Sequence, residues 1–207
     1  VDTYIRRAPH TYGWDIMPRA VTSGLWRDVY IEVRDKIRFT QTFFDFSPTE
    51  KYDYADGRSS FCYVTESKFE DFRDVEIEIE AVCGESRIFH KFKAPHSAGR
   101  YKFTVENPKL WWPRGYGEAN VYDATLRIYS EGKLVHEKKT SFGIRRVELQ
   151  RTESTDGKNG YFRFLINGVE IMCKGTNWVP LDAIHSRDAN RYDDALALLL
   201  DSGSNIV

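Results

Sequence analysis

DVEIEIEAV, residues 74–82, alternates without a break. Val75, Ile77, Ile79 and Ala81 fall on one face of a strand, and Glu76, Glu78 and Glu80 on the other. Such a stretch is an antiparallel strand with one face on a core and one in water. Three glutamates in a row also raise the question of a cation site, but the wet face of a half-buried strand explains them more simply. Six more stretches read as strands: KIRFTQTFFDF (36–46), SSFCYVTESKF (59–69), SRIFHKFK (86–93), GRYKFTVEN (99–107), NVYDATLRIYS (120–130) and KLVHEKKTSF (133–142). Turn formers separate them at Asp56-Gly57, Gly84-Glu85, Pro95 to Gly99 and Glu131-Gly132. Seven short strands in about 100 residues predict a mainly β fold, an immunoglobulin-like β-sandwich.

The pattern changes after Gly143. YFRFLINGVEIMCKG (161–175) is a hairpin in which Asn167-Gly168 suits a two-residue type I′ turn. That turn places Ile166 opposite Val169, Phe164 opposite Ile171 and Phe162 opposite Cys173, all on one face. RDANRYDDALALLLDSG (187–203) then carries Ala189, Tyr192, Leu196, Leu199 and Leu200 at helical spacing, with Asp188 as N-cap and Gly203 just past the end. SNIV (204–207) reads as the start of a further strand. Strand, helix and strand open a βαβ unit. Residues 1–32 read as one or two strands and a long loop, too little to bury a core alone. Both ends therefore read as parts of neighbouring domains.

NPKLWWPRGYGE (107–118) sets two tryptophans side by side between Pro108 and Pro113. Neighbouring side chains on a strand point to opposite faces, so Trp111 and Trp112 are not both in one core. One is expected to fill the sandwich, and the other to pack with Tyr116 at an interface between domains, since a lone domain limits such exposed rings. The alternative is that loops of the same sandwich cover both.

Composition narrows the function classes. A formal net charge of −1 with no basic stripe argues against a nucleic-acid partner. No apolar run reaches the roughly 18 residues that cross a bilayer, so no membrane partner is expected. The opening VDTYIRRAPH lacks the apolar middle of a signal peptide. The histidines at 10, 90, 96, 136 and 185 show no metal-ligand spacing, and there is no HExxH, CxxC, P-loop or GxGxxG. DYADG (53–57) is too short for a calcium loop and reads as a turn. Cys62, Cys83 and Cys173 are an odd set. A Cys62–Cys83 bridge requires their strands to face each other, and burial as small apolar groups is the simpler reading.

Several motifs together resemble glycoside hydrolase family 2. They are YGWDIMPRAVTSGLWRDVYIE (12–32), NPKLWWPRGYGEANVY (107–122), SFGIRRVEL (141–149) and FLINGVEIMCKGTNWVPLDA (164–183). The β-mannosidase branch is the nearest, because GWD and TNWVPLDA occur together; Ile16-Met17 stand where that branch usually has Trp-Gly. The resemblance implies three parts: residues 1–32 as the end of a sugar-binding-like β-sandwich, 33–147 as the immunoglobulin-like domain, and 148–207 as the start of a (β/α)8 catalytic barrel. KGTNWV would be the first barrel strand and SNIV would enter the second.

The resemblance further implies a retaining exo-glycosidase acting on terminal β-mannosides, with no obligate cofactor; the sequence itself shows no cation site, although the family's β-galactosidases use metals. Retaining enzymes use two carboxyl groups about 5–5.5 Å apart. In this family both belong to later barrel strands, so no catalytic residue is assigned here, and Glu148 and Glu153 read as solvated charge. The expected substrate contacts are Trp14 and Asp15 of the GWD loop, and Asn177 and Trp178 at the end of the first barrel strand, where active-site residues of this fold sit. A carboxylate that accepts from sugar hydroxyls beside an aromatic ring that packs on C–H faces suits carbohydrate. For Trp14 and Asp15 the plainer alternative is a domain-interface ring and a turn cap; for Asn177 and Trp178 it is simple packing. The chain's partners would be a carbohydrate substrate and the remaining parts of its own polypeptide. Nothing in the sequence encodes a compartment; a glycan-degrading bacterial enzyme would often be periplasmic or secreted. The competing hypothesis is a stand-alone carbohydrate-binding or interaction module, and within the family the β-galactosidase and β-glucuronidase branches are the other choices.

Overall fold

The computed structural model describes residues 7–34, 37–52, 54–55, 59–67, 72–152 and 160–207. The chain divides into two units, one spanning Val33–Met172 and one built from Val1–Glu32 together with Cys173–Val207. The DYADG stretch, the Asp56-Gly57 turn and Glu153 lie wholly or largely outside the described residues.

The strands of the larger unit are β1 (Ile37–Asp45), β2 (Tyr54–Ala55), β3 (Ser60–Ser67), β4 (Val75–Cys83), β5 (Ser86–Lys93), β6 (Ala98–Lys102), β7 (Val105–Glu106), β8 (Tyr122–Ser130), β9 (Lys133–Phe142), β10 (Val147–Arg151), β11 (Phe162–Ile166) and β12 (Val169–Ile171). One antiparallel sheet has the order β5-β4-β8-β9, and a second has β1-β3-β6. These are the seven strands expected from the sequence, divided four and three, and the fold is mainly β. The central pair is in the register that its pattern demands: Ile77 opposite Ile128, Ile79 opposite Leu126, Ala81 opposite Ala124. All six are buried, and Phe61, Tyr63, Ile37 and Phe39 of the other sheet belong to the same core. Phe92 of β5 stacks on Tyr101 of β6, 4.0 Å between centroids and nearly parallel, which closes one side of the sandwich.

The outer face of β4 answers the question its glutamates raised. Arg127 on β8 donates to Glu78 at 2.8 Å, Glu80 at 3.0 Å and Glu137 at 3.0 Å, and Lys91 lies 3.1 Å from Glu76. Three carboxylates hold the Arg127 guanidinium well above its ordinary pKa, led by the hydrogen bonds to Glu80 and Glu78. The face is a solvated ion-pair lattice, and such pairs contribute little individually.

Tight turns follow the sequence closely. Glu131-Gly132 and Asn167-Gly168 both have positive φ at both positions, as a type I′ hairpin requires. Ile166 pairs with Val169 and Phe164 with Ile171. The expected Phe162–Cys173 pair does not form. The backbone N–H of Met172 donates to the Tyr116 hydroxyl at 2.8 Å, which takes the chain off the ladder, while on its other edge Phe162 pairs with Arg151. β10 completes a three-stranded sheet with this hairpin. All three cysteines are free: Cys62 accepts from Arg100 Nε at 3.2 Å, and Cys83 faces Asn120.

His90 of β5 sits among aromatic rings, 4.9 Å from Phe103 and 5.5 Å from Tyr101. Burial pushes its pKa below the ordinary 6.5. A depressed folded-state pKa gives stability that is complete above 6.5 and is lost as pH falls through the folded value. The urea midpoint is therefore expected to drop between about pH 7.5 and pH 5.5, and a His90→Phe variant should flatten that slope. An unchanged slope in the variant would show that another group governs this window.

In the smaller unit a 3₁₀ turn, Pro9–Tyr12, leads into the Trp14–Met17 loop. After Cys173 come a second 3₁₀ stretch, His185–Arg191, and helix α1, Tyr192–Asp201. The helix starts later than expected. Asp188 is not its N-cap, because the carboxylate accepts from the Asp182 N–H at 2.8 Å and faces His185 Nδ1 at 3.0 Å. The other end is as expected: Gly203 has φ +72°, with Gly203 N–H on Leu200 and Ser204 N–H on Leu199. Gly175 and Ile206 form a parallel bridge on either side of α1, a strand–helix–strand unit. The first strand is reduced to this bridge rather than running through KGTNWV. A Cβ at Gly175 would overlap the Ile206 carbonyl oxygen, so only glycine permits the approach.

Candidate functional site

Trp14 and Asp15 stand on a tight loop. Gly13 has φ +104°, and the Trp14 and Met17 backbones exchange two hydrogen bonds of 3.0 Å. Asp15 and Ile16 are thereby pushed to the tip, and both are exposed. The Trp14 ring is 55 % exposed. The Asp15 carboxylate accepts no hydrogen bond and joins no ion pair among the described residues, so it does not cap its own turn. Tip carboxylate and flanking ring are both available to an external partner.

Asn177 and Trp178 follow the Gly175 bridge. They line a cleft of about 570 Å³ with Leu198 and Leu199 of α1. Trp178 is 42 % exposed, its ring tilted 44° to that of Tyr192 at 6.3 Å. Trp14 and Asp15 are not among the residues that line this cleft. Asp182 shapes the loop between Trp178 and the helix: it accepts from the Ile184 N–H at 2.9 Å and pairs with Arg191 at 3.2 Å.

A different group does converge. His185 is keyed by Asp188, meets His10 edge-on at 4.4 Å and lies nearly parallel to Trp26 at 6.2 Å. This cluster borders a cleft of about 690 Å³. Metal-ligand spacing among the histidines does not reveal it. The His185/Asp188 separation of three, in a stretch of helical pattern, was the available clue.

In the larger unit neither Trp111 nor Trp112 enters the sandwich core, contrary to the expectation for one of them. Leu110 packs there instead, against a core already filled by Tyr122 and Ile144. Trp111 donates its backbone N–H to Ile144, and its ring lies under Arg145 at 4.7 Å. A Cβ at Gly143 would come 2.9 Å from the Trp111 Cβ, so that glycine makes the room. Trp112 packs on Gly117 in the same way. Asn167, buried in its turn, accepts from the Arg146 N–H and donates to the Trp111 carbonyl, tying the hairpin sheet to this loop.

With this geometry in view, comparison with known proteins places the chain. Residues 62–145 match the model of Glycosyl hydrolases family 2. Residues 62–145 are thus similar to a family 2 domain, and nearly the whole chain is similar to β-mannosidases. Over 95 % of its residues it is 28 % identical to Beta-mannosidase B of Neosartorya fischeri and 31 % identical to Beta-mannosidase B of Aspergillus terreus. The crystal structure of a Beta-D-Mannosidase from Dictyoglomus thermophilum superposes on 97 % of the chain with a TM-score of 0.80 at 31 % identity. A putative beta-galactosidase from Bacteroides fragilis shares the fold, with a TM-score of 0.59 at 19 % identity. The chain spans 23 % and 22 % of those two curated relatives and 24 % of the first of these solved chains.

Proposed function

We propose that the full-length protein carrying this chain is a retaining exo-glycosidase that hydrolyses terminal β-mannosides. The observation that carries this reading is the superposition on a β-mannosidase over 97 % of the chain. Residues 33–147 serve as the immunoglobulin-like domain, 1–32 as the end of a sugar-binding-like sandwich and 148–207 as the start of the barrel. The two catalytic carboxylates lie outside the chain. Its own part is scaffold and pocket wall: Trp14 and Asp15 reach the sugar, Asn177 and Trp178 line the pocket, and Trp112 with Tyr116 contacts a neighbouring domain.

Steady-state kinetics on aryl glycosides test this. The full-length protein is expected to prefer the β-mannoside to the β-galactoside and β-glucuronide in kcat/KM. The 207-residue chain alone should hydrolyse none of them. A preference for the galactoside or glucuronide, or turnover by the purified 207-residue chain, overturns the reading.

A further inference from the structure

The 107–118 loop is closed by its own backbone: the Trp112 N–H donates to Glu118 at 3.0 Å and the Tyr116 N–H to Pro113 at 3.1 Å. Gly117, at φ +155°, completes the closure, because a Cβ there would come 2.7 Å from the Trp112 ring. This loop holds the β11–β12 hairpin at both ends. At the turn, the Trp111 carbonyl accepts from Asn167 Nδ2 at 3.0 Å, and Asn167 is itself buried. At the tail, the Tyr116 hydroxyl accepts the Met172 N–H at 2.8 Å. Met172 is the last residue of the larger unit. In the smaller unit, the Lys174 N–H donates to Asn205 Oδ1 at 2.9 Å, and the Lys174 carbonyl accepts from the Asn205 N–H at 2.7 Å. Only Cys173 stands between these two anchored amides, and the Gly175 bridge to Ile206 admits no Cβ. The main chain that runs on to Asn177 and Trp178 therefore has little slack.

We propose that Tyr116 is a positioning residue for the sugar pocket. Its hydroxyl fixes the Met172 amide, and so sets how the chain enters the Lys174–Gly175 segment and presents Asn177 and Trp178. Phenylalanine at this position keeps the ring but takes the acceptor from the Met172 N–H, which frees the tail of the hairpin to shift. A pocket wall binds substrate and transition state alike, so displacing it raises KM and leaves kcat nearly unchanged. The inference rests on the reading above, which gives Asn177 and Trp178 their place in the pocket.

The test is Tyr116→Phe in the full-length protein, read by kinetics on the aryl glycoside that it turns over best and by amide hydrogen exchange. kcat/KM is expected to fall about three- to tenfold, the scale of one hydrogen bond, with the change in KM and with kcat within about twofold of the parent. The loss should vanish in a protein that already carries Asn177→Ala and Trp178→Ala, because the groups through which Tyr116 acts are gone, and should persist in full beside Asp15→Asn. A purely structural role would give the same loss in every background. Exchange should quicken at residues 172–178 and stay unchanged in β4 and β8. An unchanged kcat/KM, equal losses in every background, unchanged exchange, or a variant that fails to fold overturns the proposal. If no aryl glycoside is turned over, the mannosidase reading falls and exchange alone decides. Quickening confined to 172–178 then keeps Tyr116 as the residue that positions this segment, and unchanged or global quickening removes it.

Discussion

Replacing Ile79 by alanine is expected to destabilise the sandwich by about 2–5 kcal/mol, the range for removing a large aliphatic side chain from a close-packed core. Ile79 is 0 % exposed at the middle of β4, between Leu126 on one side and His90 on the other. Both neighbouring strands are held by continuous ladders, so the surroundings have little freedom to collapse into the void. The adjacent Glu80 offers the control. It points away from the core, to Arg127, and Glu80→Gln keeps its shape while weakening one of three contacts to that guanidinium. That change should cost under about 1 kcal/mol. Urea unfolding of the two variants reads the difference directly. Equal losses would mean that the alternating face does not separate core from solvent as described.

That contrast also marks where the sequence was readable. DVEIEIEAV announces its inside and outside because one face meets a core and the other meets water along its whole length. Asn167-Gly168 is equally plain, since few residue pairs tolerate two positive φ values in succession. VELQR has the same alternation as β4 but reads as loose charge among its flanking arginines. Val147 and Leu149 are half exposed in the structure, and the strand owes its place to β11 rather than to a buried face. The places of Trp111 and Trp112 are illegible for another reason. Their position depends on room supplied by Gly143 and Gly117 and on Asn167, 56 residues beyond Trp111. No local pattern encodes such a contact. The helix start failed on competition, because Asp188 suits an N-cap by type but is already bonded to Asp182 and His185.

In the full-length protein, Asp15→Ala is expected to lower kcat/KM on aryl β-mannosides by about 10²–10⁴-fold, if the carboxylate accepts two sugar hydroxyls at about 1.5–3 kcal/mol each. The structure makes this substitution unusually clean. The Trp14–Met17 loop is closed by backbone hydrogen bonds, and Gly13 sets its entry, so the Asp15 side chain has no part in holding it. The melting temperature should therefore stay where it is while activity falls. Asp15→Asn separates charge from shape. The amide retains one acceptor oxygen, so the loss should be smaller, about tenfold for the weaker neutral bond. The pattern expected of a sugar contact is a graded decline, alanine below asparagine below aspartate, with folding unmoved. If Asp15→Ala keeps kcat/KM within about threefold of the parent, Asp15 does not contact the sugar and the GWD loop is only a surface turn. If activity and melting temperature fall together in both variants, the loop is a structural joint, and the pocket wall must be sought at Asn177 and Trp178 instead.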